Sequence, residues 1–89
     1  MDEKIVAMLE KSLKTMNNTA EDVLQDETHL RTVAYMLGDT LLPMCCMVCN
    51  VQHLERLLAG TELCKRNEAL RGKLAKLIYD YLARCKGLG

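Results

Sequence analysis

The sequence predicts an all-α fold, a small antiparallel bundle of three to four helices. Apolar residues recur at helical spacing along nearly the whole chain. Strand signals are absent, with no sustained alternation of apolar and polar residues and few β-branched residues. Pro43 and Gly60 divide the chain into helix-length segments joined by short links, which favour antiparallel neighbours.

The first helix is expected over residues 2–16. Ile5, Leu9, Leu13 and Met16 share one face, with Val6 beside them. Asp2 and Glu3 sit where the helix dipole favours acids. Asn17-Asn18 is a plausible stop, since Asn tolerates the left-handed cap conformation.

The second helix is expected over 20–42. Thr19 to Asp22 fits a capping box, with Thr19 as N-cap. Val23, Leu30, Ala34, Leu37 and Leu41 form one apolar stripe, interrupted by Glu27, and Thr28 offers a later N-cap. Gly38 in a helix interior costs about 1 kcal/mol, so a break at Gly38-Asp39 is the alternative. Pro43 ends or kinks this helix by disfavouring helical geometry at Leu42.

The third helix is expected over 44–59, with Met47, Val51, Leu54 and Leu58 inward. Gly60 fits a C-terminal cap and Thr61 an N-cap. The fourth helix then runs over 62–86. Leu63, Leu70, Leu74, Leu77, Tyr81 and Cys85 share its core face, Ile78 and Leu82 widen it, and Gly72 lies opposite.

The 89 residues make one domain, 1–89. With 49% hydrophobic and 27% charged residues, one Pro and five Gly, the chain is neither disordered nor collagen-like. A chain this short buries only about 60–65% of its unfolded surface. There is no Trp or Phe and only three Tyr, so the core is aliphatic. Small aliphatic cores often grow by association, and a homo-oligomer or an obligate protein partner is expected.

The N-terminal Met-Asp-Glu-Lys lacks the pattern of a signal peptide, and no segment has the roughly 20 apolar residues a membrane span needs. A reducing, cytoplasmic setting and no membrane association follow as expectations.

Net charge is zero, which disfavours a generally basic nucleic-acid binder. The charges are nonetheless sorted. Residues 1–28 carry seven acids and three bases, and residues 61–89 carry seven bases and three acids. The two ends attract, which favours the first helix lying against the fourth, or head-to-tail contact between copies. Lys65, Lys73, Lys76 and Arg84 project outward on the fourth helix with Asp80 among them. Their plain reading is a solvated face with i, i+4 pairs such as Lys76–Asp80 and Asp80–Arg84.

Cysteines cluster between Pro43 and His53. On a continuous helix, Cys46, Cys49 and His53 at i, i+3 and i+7 face one way and could bind zinc or copper(I) with a fourth ligand from Cys64, His29 or a second copy. Cys45 and Cys46 in a first helical turn also suit a redox role. The plainer reading is small hydrophobes in helix–helix contacts. Cys64 and Cys85 read as packing residues and His29 as a solvated one. No phosphate loop, metalloprotease motif or nucleophile elbow appears, so neither an enzyme nor a cofactor is expected.

Some apolar residues fall outside the inward stripes. Leu24, Tyr35 and Leu42 form a second stripe on the second helix, and Leu57, Met8 and Met36 also lie off the core faces. They read either as ordinary core or as a partner or dimer face, with Leu24, Tyr35, Leu42 and Leu57 the candidate contacts. The expected function is a small cytosolic protein–protein interaction subunit, such as a chaperone, anti-activator, adaptor or assembly protein. The alternative is a metal- or redox-sensing regulator built on Cys45, Cys46, Cys49 and His53.

Overall fold

The computed structural model describes residues 2–16, 19–44 and 50–86. Among these residues, five α-helices pack together: α1 (Asp2–Lys14), α2 (Ala20–Gln25), α3 (Glu27–Leu41), α4 (Val51–Leu58) and α5 (Glu68–Cys85). A 3₁₀ turn, Leu42–Met44, follows α3. The described residues contain no strand, and the chain forms the expected small all-α bundle.

The first helix follows its spacing, with Ile5, Leu9 and Leu13 buried. It closes at Lys14, where the Thr15 and Met16 N–H groups turn back to the carbonyls of Ser12 and Leu13. The expected stop at Asn17-Asn18 lies outside the described residues.

The expected second helix is two helices. Thr19 caps α2 with the full capping box, accepting from the Asp22 N–H at 3.2 Å while the Asp22 carboxylate accepts from the Thr19 N–H. The break comes at Asp26, whose extended backbone ends α2 and whose carboxylate accepts from the Thr28 N–H at 3.0 Å to start α3. This explains the charged Glu27 in the apolar stripe: it opens a new helix, and it is exposed. The stripe itself is buried as expected at Val23, Leu30, Ala34, Leu37 and Leu41.

No break occurs at Gly38, which is buried within α3. A Cβ placed there would sit 2.4 Å from Tyr81 Cδ2, so the glycine exists to admit a ring from α5. Pro43 does end the α-helix, but Leu42 keeps helical angles (φ −54°, ψ −44°) and the chain tightens into the 3₁₀ turn. Proline lacks the N–H that another α-turn would use.

The third helix is shorter than expected. Asn50, with an extended backbone, caps α4 by accepting from the His53 N–H at 2.7 Å. Leu54, Leu57 and Leu58 are buried and Val51 half-buried, while Met47 lies outside the described residues. Gly60 follows the C-cap Ala59 without a left-handed conformation. Its requirement is steric, since a Cβ there would lie 2.9 Å from a Val6 methyl.

The fourth expected helix begins later, at Glu68. Residues 61–66 form turns, with buried Thr61 donating to the Leu58 carbonyl at 2.7 Å and accepting from the Cys64 N–H. Asn67 is the true N-cap, accepting from the Leu70 N–H at 3.0 Å. The core face of α5 is Leu70, Leu74, Ala75, Ile78 and Leu82. Leu63, Leu77 and Tyr81 are half-buried and Cys85 is exposed, so the expected core face was rotated too far.

Packing departs from chain order. The most extensive interface joins α3 to α5, followed by α4 to α5, while α1 lies on α3 and α4. The sorted charges do not draw α1 onto α5. Instead, Asp2 meets His53 at 3.4 Å, Val6 fills the space over Gly60, and the Glu10 carboxylate accepts from the Glu62 N–H at 3.0 Å. These ties advance together along both segments, so α1 and α4 run side by side in the same sense. The Ser12 and Thr40 hydroxyls share a 2.9 Å hydrogen bond that fixes α1 on α3.

Candidate interaction surface

The break at Asp26 separates Leu24 from the helix that carries Tyr35, yet both residues still border α5. Leu24 lies with Leu30 and Leu77 in a groove of about 490 Å³ between α2, α3 and α5. Gln25, Glu27, Lys73, Lys76 and Asp80 complete its walls. Further along α5, Tyr35 stacks on Tyr81 with ring centroids 5.0 Å apart and planes inclined by 27°. Leu77 and Tyr81 are one helical turn apart, so the leucine groove and the tyrosine pair follow the same edge of α5.

The tyrosine pair is held by polar groups at its rim. The Tyr81 hydroxyl donates to the Asp39 carboxylate, a contact that pushes the Tyr81 pKa up to about 12. The Tyr35 hydroxyl lies near Arg84 and holds the guanidinium pKa above its ordinary value. The stack nevertheless remains open to solvent, with Tyr35 36% exposed. Tyr79 is 38% and Met8 39% exposed.

The other candidate contacts divide. Leu42 is half-buried and packs against the core beside Met44. Leu57 is 1% exposed and belongs to the core. Its placement off the core faces is corrected because Asn50 resets the start of α4 and thereby which residues face inward. Leu77 and Tyr81, expected on the core face, pack against the core but are only half-buried, so each also presents surface. Their signal was the wide apolar arc of α5, more than one helix face can bury.

The outer charges of α5 are exposed as expected, but no ion pair within 4 Å joins Lys76 to Asp80 or Asp80 to Arg84. Glu27 pairs with Arg31 at 3.5 Å, and Asp80 lies in the field of Arg84. The groove walls thus carry two acids, Glu27 and Asp80, and two bases, Lys73 and Lys76.

Three members of the cysteine–histidine set, Cys45, Cys46 and Cys49, lie outside the described residues. His53 is the third residue of α4, and the extended cap Asn50 separates it from Cys49. The His53 ring faces Asp2. Among the described residues, no group of three or more His, Cys, Asp or Glu is placed to hold a metal ion. Cys64 is buried as expected, and desolvation raises its thiol pKa. Cys85 is an exposed free thiol, not a packing residue, and His29 is half-buried, not solvated.

A second cleft, of about 550 Å³, lies between α4 and α5 and is lined by Gln52, Glu55, Arg56, Ala59, Glu68 and Arg71. Its walls are polar with both signs of charge, and Arg71 Nε is buried without a hydrogen-bond partner. No helix among the described residues is long and apolar enough to cross a membrane. Compared with family models, with curated proteins and with solved structures, the chain matches none.

Proposed function

We propose that the protein is a small cytosolic interaction subunit that acts by binding a protein, not by catalysis. The observation that carries this reading is the apolar edge along α5. Leu24, Leu30 and Leu77 line an open groove, and the stacked Tyr35 and Tyr81 continue it. Stacked tyrosines left partly in water offer a large, rigid contact area at low entropic cost. Burial of this edge against another helix is the mechanism, whether in a chaperone, an anti-activator, an adaptor or an assembly protein. The free thiols of Cys64 and Cys85 suit a reducing compartment.

The test is native mass spectrometry combined with cross-linking in cells. A benzophenone side chain in place of Tyr35 is expected to capture a protein, while one in place of Lys11 on α1 does not. Tyr35→Asp should abolish any assembly seen by native mass spectrometry and leave helical circular dichroism intact. A bare monomer that captures nothing from position 35 overturns the reading.

A further inference from the structure

We draw no further inference here: the strongest candidate, the apolar groove that Leu24, Leu30 and Leu77 form between α2, α3 and α5, has acids and bases balanced on its walls, and nothing in the structure shows what covers it.

Discussion

The α1–α4 and α3–α5 seams use the same device and finish it differently. In each, a glycine lets a side chain from the partner segment come close. At Gly60 the visitor is a Val6 methyl, and at Gly38 it is the Tyr81 ring. The first seam is then closed by polar ties on either side, Asp2 to His53 and Glu10 to the Glu62 N–H. The second is left open. Tyr81 is only half-buried, its partner Tyr35 faces water, and the leucine groove continues beside them. A small bundle can close one flank with aliphatic and polar contacts and still carry aromatic surface on another. The difference leaves the α3–α5 flank with apolar and aromatic surface that the fold does not cover.

Core truncation is the strongest way to break this comparison. Leu57→Ala should cost about 2–5 kcal/mol, the range for emptying a packed core site. Leu24→Ala, at the half-buried groove, should cost well under half of that. Urea denaturation of both variants decides it. Equal losses would mean that the groove is as integral to the fold as α4.

The two glycines supply the next effect. Gly38→Ala forces a ring aside that stacking and the bond to Asp39 hold in place, and overpacking of this kind costs about 1–3 kcal/mol. Part of this is offset by the better helix propensity of Ala, about 1 kcal/mol. Gly60→Ala meets a methyl that can rotate away and should cost less. Truncating Tyr81 to Ala in the Gly38→Ala background should relieve the strain non-additively. A Gly38→Ala protein as stable as the native chain would show that the ring moves freely and that the seam is looser than its geometry. Gly72 is the control. A Cβ there meets nothing within 4 Å, so Gly72→Ala should stabilise α5 by up to about 1 kcal/mol in thermal unfolding.

These residues also show which features a sequence can display. The Thr19 capping box and the Val23–Leu41 stripe were legible because each is local, encoded in spacing and in one side chain reaching its own backbone. The breaks at Asp26 and Asn50 were equally local but competed with apolar stripes that ran through them, and the stripe prevailed in the reading. Gly38 looked like a helix breaker because its reason, the Tyr81 ring, lies far along the chain. Leu57, expected off the core faces, is buried, and Leu77, expected inward, is only half-buried, for a related cause. Which side of a short helix faces inward depends on where the helix starts and on which helices touch it. Here α3 meets α5 more extensively than any other pair. At the candidate site, Leu24 and Tyr35 were readable as surplus apolar residues, but their shared edge on α5 was not.

The smallest effect is a titration, and it probes the open seam without disturbing the core. The Tyr81 hydroxyl donates to the Asp39 carboxylate, so losing its proton places two negative charges together. Its pKa rises from 10.0 to about 12. A folded-state pKa above the unfolded one means that the fold holds the proton more tightly. The stabilising contribution is therefore complete below pH 10 and is lost as pH rises through about 12. The phenolate absorbance missing from Tyr81→Phe, taken as a difference titration, should show a midpoint of about 12 in the native chain. Asp39→Asn removes the charge, and the midpoint should fall back toward 10. A native midpoint already at 10 would mean that the phenol and the carboxylate do not meet in solution. The tyrosine pair would then be held by stacking and by the space over Gly38 alone, and its exposed face would be free to reorganise around a bound helix.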